Sequence, residues 1–81
     1  MTTPVSLRTL QAGQAATIAT VGAAGELGRR IRDMGLVPGA QVEVVGRAPL
    51  KDPVALRIKG FTLTLRNNEA DFITVIPEQK E

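Results

Sequence analysis

The chain has 81 residues, no cysteine and no histidine, and a net charge of +2 from ten Lys/Arg against eight Asp/Glu. Those counts exclude disulfides, thiolate and imidazole metal ligands, and catalysis by Cys or His, and they do not describe a polycation. Two Phe with no Trp or Tyr argue against a stacking platform for single-stranded nucleic acid and against an aromatic groove for proline-rich peptides.

The length fits one domain over 1–81, with 78–81 a short polar tail, at the small end of what folds without a staple. The N-terminus, Met1-Thr2-Thr3-Pro4-Val5-Ser6, has no signal-peptide core. No run approaches the roughly 18 apolar residues of a membrane span. A soluble cytoplasmic protein with no direct membrane insertion is the expectation.

Ser6-Leu7-Arg8-Thr9-Leu10 reads as one helical turn capped by Ser6, with Leu7 and Leu10 facing inward. Gly13 ends it. Ala16, Ile18 and Thr20 alternate with Thr17, Ala19 and Val21 in a first strand that stops at Gly22. Small residues lead to the central stretch, Gly25 to Gly39. Leu27, Ile31 and Met34 stand at i, i+4 and i+7, one apolar helical stripe. Arg29, Arg32 and Asp33 fall on the far side, and Arg30 lies at the stripe's edge, where Glu26 can reach it in the acid-first i,i+4 order. The helix is expected over Glu26 to Met34, with Gly35 left-handed after it and Leu36 packing back on Ile31. Pro38-Gly39 then suits a type II turn. Gly28, inside the helix, marks either a packing accommodation or a close backbone approach.

Gln41 to Gly46 reads as a strand with Val42 and Val44 on one face. A loop bracketed by Pro49 and Pro53 follows. Val54, Leu56 and Ile58 alternate with polar or small neighbours, and Lys59-Gly60 suits a two-residue hairpin. The returning strand puts Phe61, Leu63 and Leu65 inward. Asn67 or Asn68 can cap one helical turn through Asp71. Phe72 to Ile76 forms the last strand, stopped by Pro77. Five short strands, with one helix between the first and second, predict a mainly β fold curled into a small barrel.

The residues offer little to catalysis. Ser6 is the only serine and has no histidine to activate it. Glu69 and Asp71 stand at i and i+2, which do not face each other on a helical turn, so they read as solvated, capping residues. The glycines are single and sit at turns, not in a phosphate-binding motif. Metal would have to be held by dispersed carboxylates alone, so no metal or cofactor site is expected. Arg29, Arg30 and Arg32, with Arg47, Arg57, Lys59 and Arg66, could contact phosphates, but Glu26, Asp33 and Glu43 interrupt them and a solvated face accounts for them as well. In the proline-bracketed loop, Leu50 either folds onto the barrel rim or stands as an apolar anchor for a protein partner.

The residues Leu10, Gly13, Ile18, Arg32-Asp33-Met34-Gly35-Leu36-Val37-Pro38-Gly39, Val42, Val44, Ala48-Pro49-Leu50, Asp52-Pro53, Leu63, Leu65-Arg66, Glu69-Ala70 and Ile73 resemble the ferrous iron transport protein A (FeoA) family. Asp52 departs from the Gly that such sequences often carry before the loop's second proline. The resemblance implies an SH3-like five-stranded barrel in the bacterial cytoplasm, a family-level association with transition metal ions, and no enzyme activity or resident cofactor. It implies a partner, the membrane ferrous iron transporter FeoB with its cytoplasmic G-protein domain, which would recruit the protein to the inner face of the membrane. Weak self-association is a further expectation, and nucleic acid is not expected as a partner. A related barrel forms the C-terminal domain of iron-dependent repressors, so a repressor-type or nucleic-acid-associated barrel is the alternative. The start at Met1 with no helix-turn-helix ahead favours a free-standing protein. The expected partner-binding residues are Arg29 and Arg32 on the helix with Pro49, Leu50 and Pro53 in the loop. Gly35, Leu36, Pro38 and Gly39 are expected to be structural.

Overall fold

The order of elements is β1 (Val5–Ser6), a 3-10 turn (Leu7–Thr9), β2 (Ala15–Val21), α1 (Gly25–Asp33), β3 (Gln41–Arg47), β4 (Val54–Ile58), β5 (Phe61–Leu65), α2 (Asn67–Ala70) and β6 (Ile73–Pro77). They come from a computed structural model, which describes residues 3–47 and 53–78. Among these residues one antiparallel sheet runs β1-β6-β2-β3-β4-β5. Register shifts between Ile18 and Thr20 in β2 and between Val44 and Gly46 in β3 are the bulges that bend such a sheet around a core. Alternation decides which residues fill that core. Ala16 and Ile18 of β2, Val42 and Val44 of β3, Val54, Leu56 and Ile58 of β4, Leu65 of β5, and Ile73 and Val75 of β6 are all buried, each set at the period of two that a pleated strand imposes.

α1 closes the core from one side. Ile31 is fully buried, and Leu27 and Met34 pack against the same cluster, as the stripe at i, i+4 and i+7 predicts. The helix ends by the expected chemistry. Gly35 has φ 96°, its N–H reaches the carbonyl of Arg32 at 2.9 Å, and the Leu36 N–H reaches that of Ile31 at 3.2 Å. These are the paired bonds of a Schellman motif, which satisfy carbonyls the helix leaves open. The Ala40 N–H then bonds the Val37 carbonyl at 3.0 Å across Pro38-Gly39, with φ 92° at Gly39. Replacing Gly35 by Val is expected to cost about 1–3 kcal/mol, because a β-branched residue at positive φ is strained whatever space surrounds it. Chemical denaturation reads the change, and an unaltered midpoint would contradict the cap.

Four expectations are corrected. The strands number six, not five, among the described residues: Val5 and Ser6 pair with Val75 and Thr74, and a two-residue strand has no periodicity to read. The capped turn at Ser6 is present beside it, since Ser6 Oγ accepts from the Arg8 N–H at 3.2 Å. Phe61 is 50% exposed at the hairpin tip, although it stands opposite the buried Ile58. Lys59 (φ 44°) and Gly60 (φ 90°) form that tip, both at the positive φ of a type I′ turn. Neither Asn67 nor Asn68 caps α2. Its N-cap is Arg66, whose backbone N–H is taken by the Glu69 carboxylate at 3.0 Å. Arg30 does not close on Glu26 but turns to Glu69, with Nη1 3.4 Å from Oε2.

Candidate protein-docking site

The geometry around Glu69 follows from where three elements end. β5 finishes at Leu65, Arg66 turns the chain, and α2 begins at Asn67. That single turn leaves its first N–H groups without helical partners. Glu69, three residues after the N-cap, folds back onto the Arg66 N–H, the second half of a capping box made without a Ser or Thr partner. The next residue, Ala70, is fully buried. Glu69 is 8% exposed, the one charged residue buried among those described. It is therefore neither the solvated acid that the sequence suggests nor an orphan: a backbone N–H and the Arg30 guanidinium satisfy its two oxygens, as burying a carboxylate requires.

Arg30 and Arg66 thus flank a groove of about 430 Å³ lined by Arg30, Pro53, Thr64, Arg66 and Glu69. Pro53 stands just before β4, and Thr64 belongs to β5 opposite Ala55. Of the expected partner-binding residues, Pro53 lines this groove. Arg29 and Arg32 are exposed on α1. Pro49 and Leu50 lie outside the described residues.

The helix geometry separates the arginines. At 100° per residue Arg30 and Arg32 stand roughly 160° apart on opposite flanks of the exposed arc, with Arg29 on its crest. A Cβ on Gly28 would lie 3.2 Å from Arg32 Nη1, so Arg32 lies over the Gly28 side, away from Glu69. The groove brings together Pro53 and Arg30, not Pro53 with Arg29 and Arg32. Sequence reasoning missed Arg30, Thr64, Arg66 and Glu69 as neighbours. The signal open to it was an acid three residues after Arg66, the residue that follows the strand, which is the spacing of a capping box.

A second ion pair, Arg8 Nη1 to Asp71 Oδ2 at 3.0 Å, ties the N-terminal turn to α2, and Arg57 faces Glu43 across β3 and β4 at 3.8 Å. Both are exposed, a setting in which a pair contributes about 0–1 kcal/mol. Among the described residues there is no cluster of three or more acidic residues that could hold a metal ion.

A family model described as the FeoA domain matches residues 5–77. The chain belongs to the FeoA family. A curated relative, the Fe(2+) transport protein A/Fe(2+) transporter FeoB fusion protein of Porphyromonas gingivalis, is 41% identical over 69 residues, which is 85% of this chain. The chain spans only 8% of that relative's length. Among solved structures, the FeoA-like protein of Clostridium acetobutylicum superposes with a TM-score of 0.90 at 32% identity, covering 100% of this chain and 94% of the other. The FeoA of Stenotrophomonas maltophilia, solved in complex with zinc and described as a procaryotic SH3 domain protein, gives a TM-score of 0.80 at 24% identity over 93% of this chain and 96% of its own. At that identity the likeness speaks for the fold alone. The FeoA domain described here is SH3-like: a bent antiparallel sheet with one helix between its early strands.

Proposed function

We propose that this FeoA domain is a non-enzymatic accessory of bacterial ferrous iron uptake, acting in the cytoplasm by docking onto the cytoplasmic part of a FeoB-type transporter. The observation that carries this reading is the Porphyromonas relative, in which a homologous segment and a FeoB transporter form one fusion protein. Fusion of two modules holds each at high effective concentration for the other, an arrangement that suits proteins working in contact. The composition agrees, since neither Cys nor His is available for covalent or imidazole chemistry. No helix of the described residues is long and apolar enough to cross a membrane, so the reading places the domain at the inner membrane face through its partner.

The docking surface in this proposal is the exposed face of α1, Arg29 and Arg32, together with the loop that carries Pro49, Leu50 and Pro53. Arginine and an apolar anchor held by prolines match the usual composition of a protein interface and lower the ordering cost of binding. The test is Leu50→Asp and, separately, Arg29→Ala with Arg32→Ala, read as transporter-dependent iron uptake. Both variants are expected to lose uptake while the arginine pair keeps its stability within about 0.5 kcal/mol, as surface changes usually do. Normal uptake by two folded variants would place the surface elsewhere on the barrel.

Iron is the cargo of the system and not a ligand tightly held by this chain. Without imidazole or thiolate, a transition-metal site would rest on hard oxygen donors alone. Anaerobic calorimetry with Fe(II) is expected to show no one-to-one binding at micromolar affinity or better. Such binding would overturn this part of the reading.

A further inference from the structure

We propose that the groove between Arg30 and Arg66 is a carboxylate-binding site that receives an Asp or Glu side chain from an extended segment of a protein partner. The inference rests on the reading of this domain as a docking module, and it assigns the chemistry of what is docked. Among the described residues the groove is lined by two guanidinium groups and one carboxylate, an excess of one positive charge. The carboxylate is already committed: Glu69 Oε1 accepts from the Arg66 backbone N–H at 3.0 Å, and Oε2 lies 3.4 Å from Arg30 Nη1.

Glu69 therefore acts as a fixed post that orients Arg30 without exhausting it. A guanidinium has five N–H donors, and the Arg30 side chain is 65% exposed, so the rest of its fork faces the groove and water. The Arg66 guanidinium makes no ion pair among the described residues. Two forks on either side of one open space match the planar, bidentate geometry of a carboxylate.

The charge balance selects the ligand. A carboxylate monoanion neutralises the excess of one. A phosphate dianion would overshoot it beside the fixed charge of Glu69, and like charges at such range repel. The strand order selects the kind of partner. β5 bonds only to β4 among the described strands, so every second residue of Phe61–Leu65 directs its N–H and C=O away from the sheet. An edge left open among the described residues takes up extended chain. Thr64 sits on that edge and Arg66 just beyond its end, so a segment laid along β5 brings its side chains to the groove. Pro53, also in the lining, has no N–H to compete for the ligand's acceptors.

The test is an NMR titration of the full 15N-labelled chain with the blocked peptide Ac-Glu-Glu-Glu-Glu-NH2, its all-glutamine counterpart and inorganic phosphate. Saturable shifts are expected at the amides of Arg30, Thr64, Arg66 and Glu69, with the glutamine peptide about tenfold weaker or more. Arg66→Gln and Arg30→Gln should each weaken the acidic peptide by about tenfold, and Arg57→Gln, outside the groove lining, by less than about twofold. Should Arg30→Gln disturb folding, Arg66→Lys decides alone: it keeps the charge and loses the fork, and the same weakening is expected. Equal response to both peptides, tighter binding of phosphate at the same amides, or no effect of the Arg66 variants would each overturn the assignment. If a FeoB-type cytoplasmic domain binds Arg66→Gln as well as it binds the unaltered chain, the groove fails and the docking reading stands. If the acidic peptide binds as predicted and that domain does not, the transporter reading fails and the groove stands.

Discussion

Gly28→Ala is expected to destabilise the domain, although propensity alone would make it a gain of about 1 kcal/mol in a helix interior. A Cβ at this position would lie 2.3 Å from the Ala23 carbonyl oxygen and 2.9 Å from its carbon. Both are backbone atoms, so no rotamer change relieves the clash. The segment that carries them is itself held, since the neighbouring Gly22 N–H bonds the Phe72 carbonyl at 2.6 Å. The helix must move outward, which lifts the buried Ile31 from the core. Overpacking of this kind costs about 1–3 kcal/mol, and in a domain of this size each kcal/mol lowers the melting temperature by about 4–8 °C. Thermal unfolding followed by circular dichroism should show a clear fall. A rise would mean that the helix tolerates the methyl and that propensity wins.

Leu36→Ala is expected to be the most damaging single truncation in the α1–β3 connection. Leu36 is fully buried and stands just after the left-handed Gly35, where the chain leaves the helix. The exit angle set by the Schellman bonds drives its side chain into the core cluster. Removing a buried Leu side chain costs about 2–5 kcal/mol, a large share of the roughly 4–12 kcal/mol that a chain of this length holds. The adjacent Val37 is 38% exposed, and Val37→Ala should stay within about 0.5–1 kcal/mol. Urea titration of the two variants is the comparison. Equal midpoints would show that position after the cap, and not burial, governs the region.

These residues also show what a sequence carries locally. The stripe Leu27-Ile31-Met34, the glycine after it and the Pro-Gly turn are legible because each depends on neighbours within one or two helical turns. The β4–β5 hairpin is legible for the same reason, through the alternation on both sides of Lys59-Gly60. Gly28 is open to two readings in the sequence, a packing accommodation or a close backbone approach, and only the fold shows the Ala23 carbonyl against it. The first strand is not legible. Val5 and Ser6 are extended only because β6, at the other end of the chain, pairs with them.

The groove fails to appear in the sequence on similar grounds. Glu26 and Glu69 are both plausible partners for Arg30, and the local rule favours the i,i+4 neighbour. The fold favours Glu69, because that carboxylate is buried and has lost its water, so an ion pair is worth more to it than to the exposed Glu26. Phe61 fails differently. Its place in the alternation is correct, since it shares a face with Ile58, but periodicity gives the face and not whether other elements cover it. Pro53 stands out in the sequence for its rigidity, and its neighbours Thr64 and Arg66 come from a strand and a turn that only the sheet register brings beside it.

The central claim is that this FeoA domain works by binding the cytoplasmic part of a FeoB-type transporter. The direct measurement is a titration of that isolated G-protein domain into the 15N-labelled chain, with and without guanine nucleotide. The account predicts saturable one-to-one binding in at least one nucleotide state, with perturbed amides confined to α1, the loop before β4 and the end of β5. Unperturbed spectra in both states, at protein concentrations near 0.1 mM where even a weak transient interface of about −5 kcal/mol would be visible, would contradict it.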